Sequence, residues 1–328
     1  MQPTVNTLIR SDFASFVRKA YRHDHPTKLG NEAYLAYLCH ELERVANGET
    51  RRLVINLPPR HLKTFLAAIY LPAWVLAHDP SARVMVITCS EQLAELITYH
   101  IRKVLRASWF KALFTTRVAK DRSKAGDFAT TAGGGVFATS VNGALAGRGA
   151  DLIIFDDPLD LKDAGNTERI ALVNQRFDSL IMSRLNNRKT GQVIIIAHRL
   201  NENDLSAHIR KQGDYRHVIL SLVATRKKSY DLGGHVWVRK RGELLRPGSF
   251  TPRELKRLEQ NTINPDFGLF YQQGIDPALR LTIKVQHFDS FDPSSIGGLP
   301  VMLSIDPGHR GAVDGSCCVI QAWSPQEG

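Results

Sequence analysis

The sequence predicts an α/β fold with a central, mostly parallel sheet flanked by helices, and three observations carry that expectation. Apolar runs of strand length alternate with longer amphipathic segments, the pattern of strands joined by helical crossovers. One run, Leu53 to Leu57, leads through Pro58-Pro-Arg-His-Leu62 to Lys63-Thr64. Another, Leu152-Ile-Ile-Phe155, is apolar throughout, as a strand covered on both faces requires, and ends in Asp156-Asp157.

The elements follow in order. Core strands are expected near 52–57, 83–88, 151–155, 193–197 and 216–222, with helices near 31–47, 64–78, 90–106 and 166–186. Ser90 with Glu91 marks the start of the third helix, and Pro72 is expected to kink or divide the second. Residues 127–140, with Gly133-Gly-Gly135 between short β-like runs, read as a hairpin inserted before the carboxylate strand.

Composition narrows the function classes. At 328 residues and 43% hydrophobic the chain can bury one large core, or one large and one smaller domain. No run of 18 apolar residues and no apolar leader occurs, so a soluble, intracellular protein without a membrane is expected. Cys39, Cys89, Cys317 and Cys318 are too few and wrongly spaced for a disulfide frame or zinc site. His23-Asp-His25 has no second ligand pair at metal spacing. The formal charge of +11 points to a polyanionic partner, most simply nucleic acid.

An apolar strand, a loop and then Lys-Thr opening a helix is how P-loop enzymes hold a nucleotide triphosphate. Leu57 and Leu62 stand where the usual loop has glycines, and a Lys-Thr pair alone is common by chance; the strand before it and the helix after it give it meaning. Backbone amides at that helix N-terminus face an anion with or without glycine. Arg60, His61, Leu62, Lys63 and Thr64 are therefore the nucleotide-binding set: Lys63 for the β/γ-phosphates, the Thr64 hydroxyl for Mg²⁺, Arg60 as a second cation toward the γ-phosphate. Asp156, at the carboxyl end of the second strand, is expected to hold Mg²⁺. Asp157 is expected to orient and deprotonate the attacking water. The bland alternative is that Asp-Asp-Pro only makes a turn or cap.

Five ordered segments resemble the large terminase subunits of tailed bacteriophages, the ATP-driven DNA-packaging motors: Leu57-Pro-Pro-Arg-His-Leu-Lys-Thr64, Gly147-Arg-Gly-Ala-Asp-Leu-Ile-Ile-Phe-Asp-Asp-Pro158, Ala197-His-Arg-Leu-Asn-Glu-Asn-Asp-Leu205, Phe270-Tyr-Gln-Gln273 and Leu303-Ser-Ile-Asp-Pro-Gly308. The resemblance implies a P-loop NTPase fold of the ASCE type, ATP and Mg²⁺, a variant Walker A loop at Arg60, Lys63 and Thr64, and a Walker B aspartate at Asp156. Asp157 falls where the family has its catalytic glutamate, which leaves the base as Asp157 or a later acid such as Glu168. Arg148 matches an arginine finger acting on a neighbouring subunit's nucleotide. The segment from Ala197 matches the coupling motif, without its usual Ser/Thr, so His198 or Arg199 would sense the γ-phosphate.

The same resemblance orders the chain: an N-terminal helical, adenine-side segment (1–50), the ATPase core (51–225), a basic lid or linker (226–295) and the first strands of a ribonuclease-H-like nuclease (296–328), where Asp306 matches the first metal-binding acid. One acid cannot hold two metals, so a truncated, inactive nuclease is expected. Between Arg226 and Arg257 ten Lys/Arg face three acids; Arg226, Lys227, Lys228, Arg239, Lys240 and Arg241 are the expected contacts to a DNA backbone, or else a solvated face. Implied partners are double-stranded DNA, a small terminase subunit, a portal protein and further copies in a ring, a pentamer, in the cytoplasm of a bacterial host and transiently at the procapsid portal, not in the mature virion. The alternatives are a helicase-like nucleic-acid ATPase and a non-hydrolysing DNA-binding protein with a degenerate loop.

Overall fold

The computed structural model describes residues 4–145, 147–261, 267–274, 302–306 and 319–323. Contacts divide the chain into two units, Met1–Asp276 and Pro277–Gly328. The first opens with α1 (Val5–Ser11), α2 (Phe13–Asp24) and α3 (Ala33–Ala46). Thr4 and Asp12 start the first two by accepting the amides of Thr7 and Ser15, which satisfies amides that have no partner within the helix.

β1 (Arg52–Asn56) then runs into the Pro58–Lys63 loop. The helix expected at 64–78 forms in two parts. Residues Phe65–Tyr70 make a π-helical turn, in which the Leu71 amide reaches back to the Leu66 carbonyl, and α4 (Leu71–His78) continues as an ordinary helix. Pro72 explains the change: it has no N–H to donate and its ring crowds the carbonyl one turn earlier, so the wider turn absorbs the misfit.

The chain continues through β2 (Arg83–Thr88), α5 (Glu91–Arg106), α6 (Ser108–Leu113), β3 (Val118–Ser123), β4 (Asp127–Thr130), β5 (Gly135–Ser140), β6 (Leu152–Asp156), α7 (Thr167–Arg184), β7 (Gln192–Ala197), α8 (Leu205–Gln212) and β8 (Arg216–Ile219). The eight strands form one sheet in the order β3-β4-β5-β2-β6-β7-β1-β8. From β5 to β8 every pairing is parallel, and only the β3-β4-β5 edge is antiparallel. β4 and β5 are the expected hairpin. β7 lies between β1 and β6, so the strand ending in the lysine loop and the strand ending in the two aspartates are separated by one strand. That is the sheet order of ASCE-type P-loop NTPases.

Side chains alternate strictly between two cores. Leu53, Ile55, Val84, Val86, Leu152, Ile154, Ile194 and Ile196 pack under the face that carries α2, α3, α4 and α5. Val54, Met85, Ile87, Ile153, Phe155, Val193 and Ile195 pack under the face that carries α7 and α8. Each fully buried side chain of this size contributes about 1.5–3 kcal/mol, and a one-residue slip of any central strand would forfeit both faces together. The resulting rigidity holds the carboxyl ends of β1, β6 and β7 side by side.

Residues 226–276 belong to the first unit by contact. They include a hairpin of β9 (Lys228–Asp231) and β10 (Val236–Arg239), then α9 (Pro252–Asn261) and α10 (Phe267–Phe270). In the second unit β11 (Met302–Asp306) pairs antiparallel with β12 (Val319–Trp323), Asp306 opposite Val319. The rest of 277–328, with Cys317 and Cys318, lies outside the described residues, as do the expected nuclease-domain features other than this strand pair. Among the described residues no helix is long and apolar enough to cross a membrane.

Candidate nucleotide site

The loop after β1 takes its shape from two residues at positive φ, Arg60 at 62° and Leu62 at 60°. Leu62 thus adopts, at a cost of about 1–2 kcal/mol, the left-handed backbone that a glycine would adopt freely. Its side chain recovers part of that by packing against the core on the α3 face. Arg60 is exposed, whereas His61 is 5% exposed and donates from Nδ1 to the Pro59 carbonyl at 2.8 Å. Burial lowers the His61 pKa and keeps the ring neutral.

Lys63 is the centre of the site. Although only 8% exposed, its Nζ lies 2.8 Å from Asp157 Oδ2 and 2.6 Å from His198 Nε2. The His198 tautomer follows from its other contact: Nδ1 lies 3.0 Å from the Leu57 carbonyl, so Nδ1 carries the proton and Nε2 accepts from the ammonium. Burial, with help from the Lys63 charge, lowers the His198 pKa to about 4, so the ring is neutral at pH 7. Asp157 stands at φ 43°, and its Oδ1 accepts the His198 amide at 3.1 Å. Burial alone would raise its pKa, but Lys63, His198 and these bonds outweigh burial and hold it below the usual carboxylate range. A non-glycine residue kept in this conformation at a strand end fits a carboxylate aimed by its surroundings.

Asp156 behaves differently from its neighbour. It is fully buried, and burial, then the adjacent Asp157, raises its pKa to about 7. Oδ1 accepts the Thr64 hydroxyl at 3.1 Å, while Oδ2 is buried without a partner. On the neighbouring strand Thr88 sits opposite Asp156 in register, and its hydroxyl is also buried without a partner. A buried carboxylate oxygen left open beside a threonine hydroxyl is an all-oxygen donor set of the kind Mg²⁺ accepts, so these residues fit the metal. Sequence reading missed Thr88; its signal was a lone hydroxyl ending the apolar run Arg83-Val-Met-Val-Ile-Thr88.

The remaining expectations separate. His198 joins the site, whereas Arg199 turns away from it: at 3% exposed, its Nε donates to both oxygens of Asp204 at 3.0 and 2.9 Å. Asp204 also caps α8 through the Ala207 amide, so Arg199 secures a helix start rather than reaching toward a phosphate. Glu168 is exposed in the first turn of α7. Arg148 lies before β6, at the end opposite Asp156. It pairs with Asp127 at 3.0 Å and stacks 4.0 Å over the Phe137 ring, in a groove of about 380 Å³ that Arg83 and Arg122 also line.

Of the basic connector, Arg226, Lys227, Lys228, Lys240 and Arg241 are exposed. Arg239 departs from expectation. It is 1% exposed and donates to the Leu222 and Glu243 carbonyls at 2.8 Å, so it anchors the base of the hairpin instead of meeting phosphate.

No protein-family profile matches the sequence, and no curated protein matches it. Solved structures similar to the chain include three at low identity. The large terminase of bacteriophage HK97 aligns at 12% identity over 65% of this chain and 44% of that one, with a TM-score of 0.42. The large terminase ATPase domain of Thermus phage P74-26 aligns at 16% identity over 45% and 60%, TM-score 0.29. Domain III of the Thermotoga maritima replication initiation protein DnaA aligns at 18% identity over 59% and 64%, TM-score 0.30. The chain thus spans less than two thirds of each of these three structures. What stands on this chain's own residues is a P-loop NTPase fold with β1, β6 and β7 converging on Lys63, Asp156, Asp157 and His198.

Proposed function

We propose that the chain hydrolyses ATP, and does so as the motor subunit of a large terminase that moves double-stranded DNA into a procapsid. The observation that carries the hydrolytic part is the double pairing at the strand ends: Lys63 on Asp157 and Thr64 on Asp156, with His198, just past the intervening strand, bonded to the lysine. In this reading Lys63 exchanges Asp157 for the β/γ-phosphates of the incoming nucleotide. Asp157, released, accepts the proton of the attacking water. Thr64 and Asp156 would hold Mg²⁺, which neutralises charge developing on the phosphates. His198, neutral and bonded to Lys63, follows whether the lysine is engaged by carboxylate or by phosphate, which is the sensing role of the coupling segment.

The packaging part rests on the five terminase-like segments and on the excess positive charge. Under it, duplex DNA, a portal protein, a small subunit and a pentameric ring of copies are the partners, and 296–328 begin a nuclease domain. The left-handed backbone at Leu62 favours a working loop over a decayed one, since it keeps the turn that glycine usually provides. The test is ATP turnover by this chain with and without duplex DNA and portal protein. Lys63→Ala and Asp156→Ala should each abolish turnover while the protein stays folded; near-wild-type turnover in either variant at an unchanged Tm would overturn the site.

A further inference from the structure

His198 is held from outside the sheet as well as from within it. Phe270, the last residue of α10, lays its ring against the His198 imidazole, with centroids 4.9 Å apart and planes at 59°. Gln273 accepts the Arg199 amide through Oε1 at 3.2 Å and donates through Nε2 to the Phe270 carbonyl, so the turn that carries Phe270 is locked to the residue after His198. Gln273 is 1% exposed and stands at φ 56°. A buried amide in a left-handed conformation persists only where its surroundings over-determine it. The two residues between complete the attachment: the Tyr271 carbonyl accepts the Leu222 amide at 2.8 Å, and Gln272 Oε1 accepts the Val223 amide at 2.9 Å.

This tetrapeptide therefore fastens two strand extensions at once, residues 198–199 after β7 and residues 222–223 after β8. His198 needs such a fastening. Its Nδ1 bond to Leu57 fixes the tautomer, but its Nε2 bond is to the end of a flexible lysine side chain, and the face of the ring is where Phe270 packs. We propose that Phe270 and Gln273 are positioning residues for His198: they keep Nε2 on the Lys63 ammonium, and so keep Lys63 divided between His198 and Asp157. Without them the lysine would rest on Asp157 alone, and the base would stay occupied after nucleotide enters. The inference rests on the ATPase reading for its kinetic consequence and on geometry alone for the contact.

Two measurements on the full chain test it. Steady-state turnover should show Phe270→Leu and Gln273→Ala lowering kcat about tenfold with KM for ATP changed less than about twofold. Phe270→Tyr, which keeps the ring, should restore kcat to within about twofold of wild type. In a His198→Ala background Phe270→Leu should cost nothing further, because its effect passes through the imidazole. Independently of catalysis, the nuclear Overhauser contact between the His198 ring signals and the Lys63 side chain should be lost in Phe270→Leu and persist in Phe270→Tyr. Full persistence of the kcat loss in the His198→Ala background, or an unchanged His198–Lys63 contact in Phe270→Leu, would overturn the proposal. A wild-type chain that hydrolyses no ATP would instead remove the ATPase reading, and the NMR comparison would still decide the positioning role.

Discussion

Lys63 and Asp157 meet at 2.8 Å, and the same ammonium lies 2.6 Å from His198 Nε2. The cation that the proposed function assigns to phosphate is thus paired with the carboxylate that it assigns to water. Removal of either partner leaves a largely buried charge without its counter-charge, which commonly costs several kcal/mol. Under the proposed function, phosphate would displace Asp157 from Lys63 before Asp157 could act as the base.

The base assignment can be separated from its alternative. Asp157→Asn keeps the shape and the bond from the His198 amide but cannot take a proton, so turnover should fall by about 10² or more while ATP still binds. Glu168→Gln, on the exposed first turn of α7, should stay within about twofold of wild type. Rapid-quench turnover with a nucleotide-binding assay checks both, and a loss that follows Glu168 would move the base there.

Leu62 offers a backbone test. Glycine adopts a φ of 60° without strain, whereas a β-branched side chain at such an angle is a true outlier. Leu62→Gly trades about 1–2 kcal/mol of relieved strain against lost packing and chain entropy. It should hold ATP affinity within about threefold. Leu62→Val should lower the free energy of unfolding by about 1–2 kcal/mol relative to wild type, because the strained angle is part of the fold before any ligand binds. Equal unfolding free energies for the two variants in chemical denaturation would mean that the loop does not hold this turn.

Much of this was legible in the sequence because burial on both faces leaves uninterrupted apolar runs, and those runs located β1, β2, β6 and β7 to within a residue or so of their observed ends. β3 was not legible. Val-Ala-Lys-Asp-Arg-Ser is polar and largely exposed, and it becomes a strand only because β4 offers it an edge to pair with. The site divided in the same way. Lys63, Thr64 and Asp156 follow from local pattern, but whether His198 or Arg199 faces the lysine depends on Asp204, whose capping of α8 draws Arg199 away. Arg239 misled for a related reason: charge in a sequence carries no record of the carbonyls that bury it.

The lowered pKa of His198 gives a stability signature in acid. A histidine with a folded-state pKa of about 4 and an unfolded value near 6.5 binds its proton more readily when unfolded. Its contribution is therefore fully present above pH 6.5 and is lost as the pH falls from 6.5 toward 4, by roughly 3 kcal/mol at most. His198→Gln should flatten the decline of ΔG of unfolding across that window relative to wild type. Parallel slopes in chemical denaturation series at pH 4.5, 5.5 and 6.5 would refute the buried, neutral imidazole.

Arg148 and Asp156 lie at opposite ends of β6, a five-residue strand about 15 Å long. Arg148 is further held by Asp127 and Phe137. Its guanidinium is thus poorly placed for its own chain's phosphates, and a catalytic role would require the γ-phosphate of a neighbouring copy. Arg148→Ala should leave ATP affinity nearly unchanged yet remove the stimulation of turnover that assembly brings. Mixing it with Lys63→Ala should restore part of the turnover, at interfaces where an intact Arg148 from one subunit meets an intact Lys63 from the other. If mixed rings form and no turnover returns, or if Arg148→Ala keeps full assembly-stimulated turnover, then Arg148 serves only to close the groove beside Asp127.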